Sequence, residues 1–546
     1  MPVVTPTLVS AGSKMPATYQ ILSIDIQKEV DRIPQAEIRV IDGSASLRTF
    51  SVSDASFFVP GSALEISLRY EGESDTVVFS GVIVRHGIEV GRSGSLLSVI
   101  VKDPAISLTG LRKSAVFSDM DDAAIIKKLL EGSDVSAGTI EKTPPKHSNM
   151  VQFHCTAWDF ILSRADALGL AVVVEAGVLS LKKKALSGSA VSTFEYGINP
   201  LYEFELEVDA ASQMAAIESV AWDPATQALS TAVKATSVTL APGNLDGATL
   251  ASSVGNSSST LNHAVPVVAD ELQAWADGQM ARSRLALLRG RISVPGVSSL
   301  KLLDVIEIAG MGDRFNGQAP ITGLRHRFDR AGWRTDIQLG GPAEGFSQRH
   351  HVQEPPASGL LPAVHGLQIG VVADFVEDKT GELLIKVLLP SVDMQTTSAV
   401  WARLASPDAG PARGFYFRPE PKDEVVVGFL NSDPRCPVIV GSLFTSKNAA
   451  PTAMGTPDDK NQYRGLVSKK GTTIGFVDAD KPSVYIATAG GNKLLLDEDK
   501  GGISLTDQNG NSIAMTKDGI AIKSAGVLTI EASKEVTLTG SKVNIK

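Results

Sequence analysis

Acidic residues near the C-terminus carry the side chains that glycoside hydrolysis requires. That reaction needs two carboxyl groups facing each other across a cleft, one acting as acid and the other as base or nucleophile. The candidates are Asp478, Asp480, Asp497, Glu498 and Asp499. They are sequence neighbours at predicted turns, and the segment 445–482 is too short to hold a lysozyme domain. Solvated turn charges are the simpler interpretation, and we predict that the protein is not an enzyme.

Other candidate chemistry is equally sparse. The sequence contains no G-x-S-x-G, H-E-x-x-H or P-loop motif. His350 and His351 are adjacent, but zinc needs two further ligands, so a chance pair is the simpler interpretation. The stretch DQNGNS at 507–512 is superficially similar to a calcium loop, yet its glycine comes one place early and no closing Glu follows. We expect a tight turn there, and we predict neither a metal site nor a cofactor.

The net charge argues against nucleic acid as a partner. The 546 residues include 51 Lys and Arg against 60 Asp and Glu, a net charge of −9, whereas nucleic-acid affinity comes mainly from basic contacts to phosphates. Phe415, Tyr416 and Phe417 could stack on bases, but residues 365–445 carry seven basic and ten acidic side chains, a net −3. We expect the three aromatic side chains to pack on their own domain or on a neighbouring subunit.

Cysteine usage and hydropathy indicate a protein made in the cytoplasm. Two cysteines, Cys155 and Cys436, cannot form a disulfide-dense secreted scaffold. The first residues, MPVVTPTLVSAGSK, lack a basic segment followed by an apolar one, so we expect no signal peptide. No stretch reaches the roughly 18 apolar residues of a membrane helix.

The first region of the chain, 1–345, reads as strands with a few helices. Short alternating runs such as QAEIRVIDG and SALEISLRYEG are typical of antiparallel strands. Helices are predicted at DDAAIIKKLLEG, which begins with an N-capping Asp, and at TAWDFILSRADALG, where Thr156 and Asp159 have capping-box spacing. The longest helix is predicted within 269–290.

The rest of the chain divides into three further segments. A polar linker is predicted at 346–364. Residues 365–445 contain five short strand candidates, which suggest a small closed barrel of the OB type. A second linker or neck, 446–482, precedes a tail of alternating residues at 483–546.

Apolar residues two apart recur along this tail. The pairs are Val484/Ile486, Leu494/Leu496, Ile503/Leu505, Ile513/Met515, Ile520/Ile522, Leu528/Ile530, Val536/Leu538 and Val543/Ile545. Successive pairs start 10, 9, 10, 7, 8, 8 and 7 residues apart. Each unit is therefore one short strand with one apolar face and a turn, and such repeats gain stability only by stacking.

Two architectures could bury this apolar face. A single chain could wind a β-solenoid, but eight strands would give fewer than three coils with open, unpaired ends. Alternatively, three chains could wind together, each supplying one face of a triangular prism, which buries every pair. We favour the trimer. Its predicted needle core includes Ile520, Ile522, Leu528, Ile530, Val536, Leu538, Val543 and Ile545.

The segment 401–444 closely resembles the OB module of VgrG-type spikes. The shared pattern is a Trp-x-Arg, a Pro-Glu-x-x-Asp-Glu-Val-x-Val-x-Phe stretch and an Asp-Pro…Pro-x-x-x-Gly-Ser-Leu ending. It is carried by Trp401, Arg403, Pro419, Asp423, Glu424, Gly428, Phe429, Pro437 and Gly441. One departure is Pro421-Lys422, where the family usually has a glycine turn.

The first 340 residues are similar to the baseplate-hub half of the same family. FNGQAPITGLRHRFDRAGWRTDIQL at 315–339 resembles its closing segment, and the helix around Trp158, Phe160 and Arg164 resembles a family signature. The resemblance implies a mainly β fold: a hub of two β-barrels with a few helices, an OB-fold barrel and a C-terminal intertwined triple-stranded β-helix.

This resemblance also implies a function and partners. It suggests a homotrimeric spike of a contractile injection system, with a hexameric inner-tube or tube-adaptor protein at the hub end, other baseplate proteins and a possible cargo effector. A PAAR-type tip protein would dock at Val543, Asn544, Ile545 and Lys546. The alternatives are a phage-tail enzyme that cleaves peptidoglycan or polysaccharide, and a type VI secretion VgrG. The chain is short for the latter and no effector domain follows the tail, so we expect an extracellular phage-tail-like particle made in a bacterial cytoplasm.

Overall fold

The computed structural model describes residues 3–92, 94–143, 145–184, 187–238, 240, 243–348, 356–359 and 361–545. The adjacent His350 and His351 and the terminal Lys546 lie outside the described residues. The chain divides into two compact units, Met1–Glu354 and Pro355–Lys546.

The first unit is built mainly from strands. They are β1 (Val4–Ser10), β2 (Ser13–Lys14), β3 (Gln20–Glu29), β4 (Gln35–Ile41), β5 (Ala63–Tyr70), β6 (Thr76–Gly91), β7 (Gly94–Lys102), β8 (Arg112–Met120), β9 (Ser136–Ile140), β10 (His147–Thr156), β11 (Leu170–Glu175), β12 (Val178–Lys183), β13 (Ser192–Glu195), β14 (Glu203–Val208), β15 (Ala216–Asp223), β16 (Ala228–Leu229), β17 (Val233–Lys234), β18 (Ser258–His263), β19 (Leu288–Pro295), β20 (Val305–Ala309), β21 (Gly317–Asp329) and β22 (Gly332–Leu339). The α-helices are α1 (Asp122–Leu130), α2 (Ala157–Ala167), α3 (Gly247–Ser253) and α4 (Ala269–Leu285).

A 13-stranded sheet organises this unit. Its order is β14-β19-β22-β21-β3-β4-β7-β6-β5-β1-β2, with β20 joining β21 and β13 joining β20. Alternation within each strand separates core from surface: in β4, Ala36, Ile38 and Val40 are fully buried, whereas Glu37 and Arg39 lie on the other face. Two separate hydrophobic cores lie along the sheet, one under β1 and β3–β7 and the other under β19–β22.

The predicted helices form with the predicted caps. The Asp121 side chain accepts a hydrogen bond from the Ala124 N–H at 2.7 Å at the start of α1. At the start of α2, the Asp159 N–H donates to the Thr156 hydroxyl at 3.0 Å. That hydroxyl in turn donates to the Asp159 carboxylate at 2.8 Å. Gly132 has φ +74° just after α1, so it ends that helix in the left-handed region.

A buried ionic network ties α1, α2, α4 and β10 together. Asp122 is fully buried and accepts from the Arg164 Nε at 2.6 Å and from the His147 Nε2 at 2.8 Å. Arg164 also donates to the Glu271 Oε1 at 2.8 Å. Burial alone raises the pKa of Asp122, but the hydrogen bonds and charge of Arg164 outweigh it and hold the pKa below the ordinary value.

The second unit contains 14 further strands. They are β23 (Gln368–Val372), β24 (Ile385–Leu388), β25 (Val400–Leu404), β26 (Ala409–Gly410), β27 (Arg413–Gly414), β28 (Glu424–Phe429), β29 (Pro437–Ser442), β30 (Tyr463–Val467), β31 (Thr473–Val477), β32 (Ser483–Ala487), β33 (Lys493–Asp497), β34 (Gly502–Thr506), β35 (Ser512–Thr516) and β36 (Gly519–Lys523). The predicted five-stranded barrel is confirmed: it closes in the order β23-β24-β25-β29-β28. Its core includes Ile385, Val387, Ala402, Val425 and Val427.

The tail forms a meander in which each strand pairs with the next. Strands β30 to β36 make one seven-stranded antiparallel sheet. It begins at Tyr463, within the segment 446–482 predicted as a linker or neck. The prediction of one strand per repeat is confirmed as far as β36. The described residues 524–545 contain no strand paired within the chain, so for this segment it stays a prediction. A strand exists only through a partner backbone, and the local pairing that builds the meander stops at Lys523.

The Asp122 network gives a stability prediction. Asp122→Ala should lower the free energy of unfolding by about 3–5 kcal/mol, because it leaves the Arg164 charge buried without its main partner. Since the folded-state pKa is depressed, this stabilisation is present above the unfolded value, about pH 4, and is lost as the pH falls through the folded value. Urea unfolding of wild type and variant at pH 7 and at pH 3 checks both points.

The matched control for this experiment is Asp518→Ala. Asp518 forms an exposed pair with Lys517 at 2.9 Å and should matter little. Equal destabilisation by the two variants, or a difference that does not shrink in acid, would contradict the assignment.

Candidate functional site

The apolar pairs of the repeats form two columns on one face of the C-terminal meander. The ladder places Val484 beside Leu496 and Ile486 beside Leu494, and the same register continues through β36. The first column is Ile474, Ile486, Leu494, Leu505, Ile513 and Ile522. The second column is Phe476, Val484, Leu496, Ile503, Met515 and Ile520. We call the two columns together the apolar face.

Turn chemistry keeps this register. Asp507 closes the loop before β35, where its Oδ1 accepts the backbone N–H groups of Asn509 at 2.9 Å and Asn511 at 2.8 Å. The hydrogen bonds from Asn511 hold the pKa of Asp507 below its ordinary value. The stretch 507–512 is thus a tight turn, as predicted. The next connection has only Lys517 and Asp518 between the paired ends of β35 and β36, which shortens the repeat to seven residues.

The apolar face is uncovered. Except for the half-buried Leu494, its side chains are 36% to 69% exposed. Fully burying one such aliphatic side chain is worth about 1.5–3 kcal/mol. A contiguous apolar surface of this kind marks an interaction site rather than a normal solvated face.

The opposite face of the meander is different. It carries small or polar residues, such as Ser504 and Ala514, directly opposite each other. Tyr485 lies against Gly475, where a Cβ would come within 2.4 Å of the ring, and the Lys493 Nζ lies 5.1 Å from the ring centre. This face therefore covers itself with its own side chains, and only the other one needs a partner.

The sequence analysis missed the beginning of the apolar face. Ile474 and Phe476 on β31 lie in the predicted linker, yet they pair with Ile486 and Val484. The signal was present, because Ile474/Phe476 is an apolar pair that starts ten residues before Val484/Ile486.

Of the predicted needle core, only Ile520 and Ile522 lie within the strand ladder. The other members follow β36 and are exposed; they are Leu528, Ile530, Val536, Leu538, Val543 and Ile545. Leu528 borders the same groove as Ile513 and Ile522, so it extends the first column. Of the predicted tip-docking residues, Asn544 is exposed beside Val543 and Ile545, and Lys546 lies outside the described residues.

The residues of the OB motif lie on the strands and turns of the barrel. Trp401 on β25 lies under the Lys386 Nζ, 5.2 Å from its ring, and the neighbouring Arg403 is exposed. Phe429 pairs with Pro437 at one end of the β28–β29 ladder, and Gly428 pairs with Val438 beside them. Gly441 faces Val426, and Glu424 faces Val371 on β23.

The departure at Pro421-Lys422 is a turn that normally suits glycine. Lys422 has φ +76°, and the Asp423 N–H donates to the Glu420 carbonyl at 3.0 Å. Pro at the second position and a positive φ at the third are typical of a type II turn. The Asp423 carboxylate braces it by accepting the Glu420 N–H at 2.8 Å. Pro419 lies half-buried just before this turn.

The candidate catalytic carboxylates are engaged in surface ion pairs and turns. Asp499 pairs with Lys481 at 2.6 Å, and Asp478 pairs with Arg464. The hydrogen bond from Lys481 lowers the pKa of Asp499, whereas a glycosidase acid needs a raised one. Asp497 accepts the Asp499 N–H at 2.9 Å and so acts as a turn residue.

Within the described ranges, no group of three or more His, Cys, Asp or Glu side chains is placed to hold a metal ion. None of the helices that the structure describes is long and apolar enough to cross a membrane.

Three family models match consecutive parts of the chain. The model described as the Alg8 N-terminal domain matches residues 1–329. The type VI secretion system/phage-baseplate injector OB domain matches 368–444, which covers the closed barrel. The phage baseplate V C-terminal trimerisation domain matches 483–546, which includes the apolar face from β32 onwards.

Individual relatives are more distant. The spike protein VgrG3 of the type VI secretion system of Vibrio cholerae is 40% identical over 65 residues, which is 12% of this chain and 6% of that protein. A tail protein of Neisseria meningitidis has a TM-score of 0.45 at 15% identity, over 63% of this chain and 98% of that one. An Escherichia coli component of the type VI secretion system has a TM-score of 0.39 at 14% identity. The match covers 80% of this chain and 99% of that one.

The order of the matched domains follows the order of the folded parts: strand-rich first unit, closed barrel, then meander with an apolar face. The chain belongs to the family defined by the Alg8 N-terminal domain, and its injector OB and trimerisation domains make it similar to VgrG-type spike proteins.

Proposed function

We propose that three copies of this protein form the puncturing spike of a contractile injection system. The observation that carries the proposal is the uncovered apolar face, which spans β31 to β36 and overlaps the match to a trimerisation domain. Three such faces turned towards a common axis bury one another in layers, with the self-covered faces outward. The product is a stiff needle, because separating the chains exposes all layers together.

The ends of the spike have different partners in this proposal. The hub end seats a hexameric inner tube or tube adaptor and contacts baseplate proteins, as the resemblance to VgrG-type spikes implies. The other end carries a PAAR-type tip protein on Val543, Asn544, Ile545 and Lys546. Exposed apolar side chains at Val543 and Ile545 support this docking surface. A cargo effector is a further partner of the same class.

The proposed role is mechanical, without catalysis. The carboxylates of the tail support this view, because Asp478 and Asp499 are held in exposed ion pairs rather than across a cleft. As for the machine, we propose an extracellular phage-tail-like particle assembled in a bacterial cytoplasm. The matched injector OB domain covers both type VI secretion and phage baseplates, so a type VI secretion VgrG is the alternative.

Removing the tail should abolish trimerisation. We expect a chain ending at residue 482 to be monomeric or only weakly associated at micromolar concentration, because the interface that buries the apolar layers is gone. Light scattering after size-exclusion chromatography measures the mass of the full and the truncated chain. A full-length monomer would overturn the proposal. A tight trimer of the truncated chain would show that the tail does not supply the main trimer interface.

A charge in one layer should be far more harmful than a charge at a turn. Ile503→Asp places three carboxylates in one apolar layer, where each unpaired charge costs several kcal/mol or is forced to protonate. Gln508→Asp adds the same charge at an exposed turn and should change little. We expect Ile503→Asp to lower the melting temperature of the trimer strongly. Equal melting temperatures of the two variants would refute the layered arrangement.

The non-catalytic reading predicts no hydrolysis of peptidoglycan or capsular polysaccharide. Release of reducing ends by the purified protein should stay at the level of a buffer blank over the pH range 4 to 8. Asp497→Asn serves as the control, because activity that this change abolishes would identify a true carboxylate mechanism and overturn the prediction.

A further inference from the structure

Three consecutive aromatic side chains stand out on the OB barrel. Phe415, Tyr416 and Phe417 are 56%, 69% and 62% exposed, although aromatic residues of this size are normally at least half-buried. We call this segment the aromatic loop. Its side chains are not part of the hydrophobic core of their own barrel.

The aromatic loop is held in a fixed shape. The Phe415 N–H donates to the Asp408 carbonyl at 3.0 Å, and the Ser406 hydroxyl donates to the Phe415 carbonyl at 2.7 Å. The Arg413 Nη1 lies 2.5 and 2.6 Å from the two Asp408 carboxylate oxygens and closes the small β26–β27 hairpin. A preorganised loop presents its aromatic side chains with little further loss of entropy on binding.

A second unusual surface lies elsewhere on the same barrel. Along β28, Val425 and Val427 point into the core, so Val426 and Gly428 face outward. Apart from Glu424 and Gly428 on β28, most outward positions of β23, β28 and β29 are aliphatic. They are Ile369, Val371, Val426, Val438 and Val440, with Leu367 just before β23. We call this surface the aliphatic face.

Gly428 forms a gap within the aliphatic face. A Cβ at this position would lie 3.4 Å from the Leu367 Cδ2 and 3.9 Å from the Val440 Cγ1, so the glycine is flanked by two exposed aliphatic side chains. The surface around Gly428 is therefore apolar, which suits contact with an aromatic ring.

We infer that, in the trimer, the aromatic loop of each copy docks on the aliphatic face of the next copy. The inference rests on the proposed trimer. A cyclic trimer needs two different, complementary surfaces on each subunit, and the barrel exposes one aromatic and one aliphatic surface. Aromatic side chains with a neighbouring arginine, here Arg418, are typical of interface anchors.

Continuity with the tail favours a second copy over other occupants. Glu420, three residues after the aromatic loop, pairs with Lys469 at 2.6 Å. Lys469 lies in the turn between β30 and β31, and β31 begins the apolar face. The aromatic loop is thus anchored to the sheet that brings the three chains together.

Cross-linking between copies tests this inference. In a Cys436→Ser background, which removes the exposed native thiol, Tyr416→Cys and Val440→Cys are combined and treated with a short flexible bismaleimide. We expect covalent dimers and trimers on a denaturing gel. The two variants that carry only one of these added cysteines, beside the buried Cys155, should stay monomeric on that gel, because each lacks one half of the pair.

The native mass, measured on the same samples, separates the two possible failures. A native trimer without covalent species above the monomer would overturn the aromatic docking and leave the proposed function standing. A native monomer would overturn the proposed trimer itself.

Oxidative footprinting gives a second, independent measurement on the full chain. Tyr416 and Phe417 should oxidise several-fold more slowly in the trimer than in the chain ending at residue 482. Equal rates would contradict the inference. Equal and fast oxidation in the trimer and in the truncated chain would indicate that the aromatic loop binds a different partner. Equal and slow oxidation in the two samples would indicate that the chain covers the loop itself.

Blocking the gap should uncover the loop again. Gly428→Lys fills the space between Leu367 and Val440 without backbone strain, since Gly428 does not have a positive φ. We expect Phe417 in this variant to oxidise as fast as in the truncated chain while the mass stays trimeric. The control is Gly110→Lys, an exposed glycine-to-lysine change outside the barrel, which should leave the footprint unchanged. An unchanged footprint for Gly428→Lys would count against the docking site.

Discussion

The exposed apolar face of the C-terminal meander is the constraint on which the rest of the proposed architecture depends. Each strand of the meander pairs with the next one, so the ladder from β30 to β36 is built within one chain. Hydrophobic burial is not achieved in this way, because every strand from β31 to β36 turns its Ile, Leu, Val, Phe or Met pair to the same side. The two requirements are therefore met by different partners: the ladder by the same chain, and the apolar face by other copies.

In the first unit, Met1–Glu354, hydrophobic burial is achieved within the chain. Its cores are fully buried within the chain, and its ionic network joins residues far apart in sequence, with Asp122 bound to Arg164 and Arg164 bound to Glu271. Such contacts hold a single subunit in one shape without help from a neighbour. The first unit is thus complete as a monomer, whereas the tail is completed by association in the proposed trimer.

The strands of the tail, their shared apolar face and the helix caps could be predicted from the sequence, for physical reasons. The pairs from Val484 to Ile522 recur every seven to ten residues, and short turns leave only one register, so the strands and the shared face follow directly. The caps at Asp121 and Thr156 are local as well. The Asp122 network could not be predicted, since no local pattern links residues that only the fold brings together. The described residues after Lys523 form no strand within the chain, because alternation indicates which face is apolar but not which backbone supplies the ladder.

The same distinction between local and distant information explains the OB barrel. Its motif predicted the closed barrel, because Val425 and Val427 alternate with outward residues and define a core. The motif does not explain why Gly428 and the aliphatic residues around it face outward. It also does not explain why three aromatic side chains next to Arg418 remain uncovered. When one face of a strand is buried in the core, solubility is the usual constraint on the residues of the other face. When that free face is aliphatic and a nearby loop is aromatic, solubility does not explain the composition, but a contact between copies does.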